Sequence, residues 1–134
     1  MGPATIRTME RFLWICLGGA AGTGTRYLVS VWAAERFGST FPVGTLLVNL
    51  AGCFLMALLV EAAFRGAWPE TVRVAATAGY LGGLTTYSSF NFETTRLLET
   101  GANGMAGAYV LATLVGAFVA GWAGLALGRH LFAA

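Results

Sequence analysis

Four groups of polar side chains interrupt an otherwise apolar sequence. Arg26 follows Gly22 by one helical turn in Gly18-Gly19-Ala20-Ala21-Gly22-Thr23-Gly24-Thr25-Arg26. Thr45 and Asn49 stand four residues apart, which puts them on one face of a helix. The stretch Gly79-Tyr80-Leu81-Gly82-Gly83-Leu84-Thr85-Thr86-Tyr87-Ser88-Ser89-Phe90 gathers three glycines and four Ser/Thr hydroxyls, and Glu93 lies just beyond it. Catalysis would need a nucleophile beside a base, a carboxylate pair or a His/Cys metal set, and the sequence offers none of them. It offers uncharged donors instead: the Asn49 amide, the hydroxyls of Thr45, Thr85, Thr86, Ser88 and Ser89, and the positive ring edges of Phe90 and Tyr87. Such groups can replace the water around a small anion, with almost no full positive charge in the centre to trap it.

Each group also has a plainer reading. A lone arginine in a membrane segment snorkels to the headgroups. An asparagine glues helices together more often than it binds a transported species. The Gly/Thr/Ser centre is either a break that lines a cavity or binds an ion, or a flexible kink. Glu93 is either a charge in a vestibule or a solvated residue near a helix end.

The elements that must position these residues are membrane helices. Of 134 residues, 57% are hydrophobic and 10% charged, against about 25% charged in a soluble domain, and the mean hydropathy is +0.70. A chain this short and apolar cannot cover a water-facing surface with polar groups, whereas a bilayer does not require it. One crossing takes roughly 20 apolar residues, so residues 1–134 are expected to form a single domain of four transmembrane helices in an all-α integral membrane protein. The net charge of +2 comes from arginine and glutamate alone and does not point to nucleic acid. Cys16 and Cys53 lie in apolar runs, as small hydrophobes do, and reveal no redox compartment.

Arg7 and Arg11 before Phe12-Leu13-Trp14-Ile15-Cys16-Leu17 imitate a cleaved signal peptide. The apolar pattern resumes through Tyr27 to Trp32, so an uncleaved first helix from about Phe12 to Trp32 is expected. The second is expected from Pro42, in its first turn, to about Phe64. Trp68 sits in the following connection, where an interfacial aromatic belongs. The third runs from about Val72 to Leu98 and is interrupted at its glycine- and hydroxyl-rich centre. The fourth runs from about Met105 to Leu127, closed by Arg129 and His130, and His130 reads as an interfacial or capping residue. Arg7, Arg11, Arg65, Arg73 and Arg129 fall on one side, Arg36 and Arg96 on the other, a modest orientation bias.

Across all four helices the sequence resembles the CrcB or Fluc fluoride channel family. The likeness is carried by Gly18-Gly19 with Gly22 and Arg26-Tyr27, by Gly44-Thr45-Leu46 with Val48-Asn49 and Gly52, and by Gly79 through Phe90 with Glu93. The resemblance implies passive fluoride export across the cell (inner) membrane by an antiparallel homodimer. That dimer would have two pores and a central structural sodium ion. By position, Asn49 would be a pore-lining donor and Tyr87 and Phe90 the aromatics whose edges meet fluoride, with Ser88 and Ser89 beside them. Gly82 and Thr85 would give backbone carbonyls to sodium. Thr45 and Glu93 join the pore set, and Tyr109 and Thr113 on the fourth helix begin a polar track. Two departures stand out: Tyr87, where the pattern usually has phenylalanine, and Ala117, where a hydroxyl is common.

Two other classes compete. A proton-coupled exporter of the small multidrug type also uses four short helices in a dimer, but it needs a membrane-embedded carboxylate. Glu61 lies near the end of the second helix and no acid lies in the first, which argues against it. A non-conducting packing subunit of a larger complex would also account for the glycine-rich faces.

Overall fold

The computed structural model describes residues 3–66 and 68–132, and these are helical with short connections. Helix α1 spans Pro3–Phe37 and α2 spans Val43–Arg65. Helix α3, residues 70–84, begins as α-helix over Glu70–Val74, widens to a π-helical turn over Ala75–Leu81 and ends in a short α-helical turn over Gly82–Leu84. After a break at Thr85 and Thr86, α4 spans Tyr87–Glu99, and α5 spans Asn103–Leu131.

Several boundaries differ from the sequence expectation. Helix α1 has 35 residues and is therefore about 52 Å long, well beyond the hydrocarbon thickness of about 30 Å. Its N-terminal turns persist because nothing there breaks a helix, and Arg11 reaches Glu70 of α3 at 2.5 Å. Its end falls at Gly38, whose φ of +80° suits glycine. Pro42 caps α2 from outside; it is not the first helical residue. Helix α5 continues past Leu127, so Arg129 and His130 lie within its last turn, where cations complement the exposed carbonyls. The π-helical turn was not foreseen.

Among the described residues, helices α2 and α5 are the two that are long and apolar enough, by length and composition, to cross a membrane. They pack along each other, and Gly124 on α5 admits the Phe54 carbonyl of α2 where a Cβ would collide. Helix α1 packs against the π-helical turn through a second glycine seam. A Cβ on Gly79 would stand 2.9 Å from the Ile15 carbonyl oxygen, and one on Gly22 would overlap the Tyr80 carbonyl. Small residues let backbones approach this closely, which is how helices associate without a hydrophobic driving force.

Large apolar side chains face outward. Phe118 and Trp122 on α5 are 70% and 68% exposed, an arrangement that suits lipid or a partner and not water. Two small buried clusters hold the interior: Val48 with Leu81 and Leu84, and Phe90 with Leu97, Ala106 and Tyr109. The second places the candidate residues Phe90 and Tyr109 in the packed interior.

Candidate functional site

The helix break is held open by hydrogen bonds that divert its own backbone. Thr86 is extended and caps α4, its hydroxyl accepting from the Ser89 amide at 3.1 Å. Asn49 on α2 meets the same residue with both ends of its amide. Its Oδ1 accepts from the Thr86 N–H at 2.8 Å and its Nδ2 donates to the Thr86 carbonyl at 3.0 Å. In an uninterrupted helix the Thr86 N–H would serve the Gly82 carbonyl and the Ser89 N–H the Thr85 carbonyl. Both carbonyls are thereby freed of their helical donors.

Arg26 secures the other side of the break. Its Nε donates to the Gly83 carbonyl at 3.1 Å, and the Thr23 hydroxyl reaches the same oxygen at 3.5 Å. Tyr80 donates to the Thr25 hydroxyl at 3.2 Å, adding a further tie between α1 and α3. Arg26 therefore does not snorkel; it satisfies a carbonyl that the helix has abandoned.

A groove of about 790 Å³ opens beside the break, lined by Asn49, Thr85, Thr86, Tyr87, Phe90 and Thr113 together with apolar residues of α2 and α5. Among the described residues, no Asp, Glu, Lys or Arg lines it. The Tyr87 and Phe90 rings stand 5.5 Å apart at 53°, and Phe90 in turn contacts Tyr109 at 5.2 Å. Phe90 is buried, while Tyr87 is 76% exposed at the groove wall. Thr113 is buried, and its hydroxyl has no hydrogen-bond partner among the described residues.

On the far side of Phe90, Glu93 is clamped. The Thr45 hydroxyl donates to one carboxylate oxygen and the Tyr109 hydroxyl to the other, both at 2.7 Å. Short hydrogen bonds to an ionised acceptor are strong, so the carboxylate is fixed and not freely solvated. Tyr109 is fully buried, with Phe41 packed edge-on against it at 5.5 Å. Beyond Glu93 a second cavity of about 510 Å³ reaches the 38–42 loop, walled in part by Thr45, Glu93 and Arg96.

The groove gathers uncharged donors and ring edges, groups that can replace the water around a small anion. Residues 13–125 match the family model described as CrcB-like protein, Camphor Resistance (CrcB). The chain belongs to the CrcB family. The chain is 52% identical over 124 residues to a fluoride-specific ion channel FluC of Anaeromyxobacter sp. (strain K), covering 92% of this chain and 98% of that one. Another FluC, from Sorangium cellulosum, is 47% identical over 126 residues, covering 93% and 99%. One from Agrobacterium fabrum is 47% identical over 119 residues, covering 88% and 95%. Membership makes this a membrane protein.

Within the CrcB frame, the sequence candidates fall into three neighbouring places. Asn49, Tyr87, Phe90, Thr113 and Thr85 share the groove, and Ser88 and Ser89 border it through their hydroxyl contacts with Thr86 at 3.1 Å. Thr45, Glu93 and Tyr109 form the clamp, and Arg26 joins Gly82 and Gly83 at the break. Thr45 and Asn49 do share a face, yet they bind different partners, one above the aromatic pair and one below. Sequence reasoning counted the Thr86 hydroxyl among the donors but missed its role as the N-cap of α4. The available signal was a threonine three residues before a serine at the start of a helical run, an ordinary N-cap pattern.

Proposed function

We propose that the chain is a fluoride-specific ion channel that lets fluoride leave the cytoplasm passively through the cell (inner) membrane. The observation that carries this is the groove at the helix break: among the described residues no Asp, Glu, Lys or Arg lines it, and it presents an amide, hydroxyls and two aromatic edges, in a CrcB chain. Fluoride must shed tightly held water, and only donors fixed in place can replace it. Asn49 keeps a second Nδ2–H after bonding Thr86. Tyr87 and Phe90 present ring edges, Ser88, Ser89 and Thr113 extend the donor series, and Thr45 and Tyr109, whose protons go to Glu93, close the path at the clamp.

The working unit in this reading is an antiparallel homodimer with four transmembrane helices per chain and two pores. The outward apolar faces and the groove, which is open on one side, support a second copy. The third and fourth crossings would be α1 and the α3–α4 pair, whose polar content is absorbed at the break. The freed Gly82 and Thr85 carbonyls are hard oxygen donors of the kind a sodium ion prefers, and they would hold it at the centre of the dimer. Sodium would supply structural cross-linking there, with Arg26 keeping Gly83 out of the ligand set.

Fluoride efflux from proteoliposomes, with chloride as control, tests the reading. Fluoride flux without chloride flux is expected; no flux from a well-folded protein would leave a packing subunit. The exporter alternative gains nothing, since Glu61 is paired with Arg65 at 2.6 Å near the helix end.

A further inference from the structure

The cavity between the 38–42 loop and the clamp contains one anionic and one cationic side chain, Glu93 and Arg96. They are one helical turn apart on α4, a spacing at which they would ordinarily pair. They do not. Glu93 is turned inward, with both oxygens occupied by Thr45 and Tyr109, and Arg96 forms no ion pair among the described residues. The guanidinium instead lies 6.0 Å from the Phe92 ring centroid, exposed at the cavity wall.

An anion entering this cavity meets a fixed carboxylate at its inner end. Without compensation that charge lowers the local anion concentration and raises the barrier to the first desolvation step. The separation of the pair leaves Arg96 free to act on the cavity and not only on its neighbour. We infer that Arg96 is the anion-recruiting residue of this vestibule: it gathers a small, hydrated halide ahead of the Glu93 clamp and offsets the carboxylate's repulsion. The inference rests on the channel reading. Arg96 acts through the field in the cavity and is not part of the desolvated path, so it sets how readily the pore fills and not how fast a filled pore turns over.

The test is fluoride efflux from proteoliposomes with wild type, Arg96→Gln and Arg96→Lys at matched protein number. Each is measured over a range of fluoride concentrations, at low ionic strength and in about 0.3 M of an impermeant salt. One unit charge acting across a water-filled cavity of this size changes local anion concentration about threefold. At low ionic strength Arg96→Gln should therefore need about threefold more fluoride for half-maximal flux, with the maximal flux unchanged, and Arg96→Lys should match wild type. In high salt the three should converge, because screening removes the field. Equal half-saturation for Arg96→Gln and wild type at low salt would overturn the inference. So would a deficit that persists in high salt, or one shared by Arg96→Lys, since either marks a structural role. Absence of fluoride flux in wild type would instead overturn the channel reading, and this inference with it.

Discussion

Asn49 grips Thr86 by both ends of its side-chain amide, accepting from the backbone N–H and donating to the carbonyl of the same residue. This two-point contact joins α2 to the break and holds open the turn whose carbonyls would bind sodium. An Asn49→Asp side chain could still accept from the N–H, but its second oxygen would face the Thr86 carbonyl, two acceptors with no proton between them. The negative charge would also stand in the groove. A barrier raised by about 3 kcal/mol slows passage roughly 100-fold, and fluoride efflux should fall at least that far. Wild-type flux in a well-folded Asn49→Asp dimer would remove Asn49 from the pathway.

The Gly82 and Thr85 carbonyls owe their freedom to bonds made elsewhere, so sodium binding should not depend on the side chain at 85. Thr85→Val keeps the shape and loses one bond, from the hydroxyl to the Leu81 carbonyl at 3.0 Å, which is worth about 1 kcal/mol. The expected outcome is near-normal flux and sodium dependence in Thr85→Val. Rigorous removal of sodium, with no substitute cation, should lower both dimer stability and flux in every variant. Thermal unfolding in detergent with and without sodium measures the first, and unchanged melting in sodium-free buffer would count against the site.

Much of this site could be read from the sequence, for identifiable reasons. Glycines and hydroxyls concentrated over 79–90 are poor helix formers in any context, so the interruption of the third segment was legible locally. What the break does with its backbone was not. That depends on Asn49, 37 residues away, and on Arg26, 57 residues from Gly83, and one sequence carries no signal for such encounters. Glu93 illustrates the same limit, since its choice between a vestibule charge and a solvated end is made by Thr45 and Tyr109, which approach from two other helices. Helix ends were misjudged where polar residues such as Arg7, Glu35 and Arg36 continue a helix beyond its apolar stretch.

The close seam between α1 and the π-helical turn leaves no room for a methyl group at Gly22, where a Cβ would overlap the Tyr80 carbonyl and stand 2.9 Å from the Leu84 amide. Backbone, unlike a flexible side chain, cannot yield cheaply. Gly22→Ala should therefore destabilise the protein by about 3 kcal/mol, the upper part of the usual overpacking range. Gly24, two residues on, is the control, because a Cβ there meets nothing within 4 Å. Gly24→Ala should be neutral or slightly stabilising through helix propensity. Equal melting temperatures for the two variants would mean that the seam is looser than described.

Tyr87 and Phe90 are the most direct test of the anion chemistry, because they differ in the one group that a ring edge does not need. A tyrosine ring keeps the polarised C–H edge of phenylalanine and adds a hydroxyl at its tip. That hydroxyl has no described partner, and the ring is exposed at the groove wall near Thr113 and Ala117. Pointing into the path, it would hold fluoride longer and slow its exit, since conduction needs binding that is easily reversed. Turned toward α5, it would stand in for the hydroxyl that Ala117 lacks. In either orientation the edge contact survives its removal, so Tyr87→Phe should keep fluoride selectivity and conduct at least as fast as wild type. Phe90 has no such redundancy. It is buried between Tyr87 and Tyr109, and Phe90→Ile removes the edge altogether, about 1 kcal/mol or more of contact. Most of the flux should be lost, roughly tenfold. Efflux from liposomes at matched dimer number decides between the outcomes. Normal flux in Phe90→Ile with lost flux in Tyr87→Phe would reverse the roles of the two rings and undercut the proposed path.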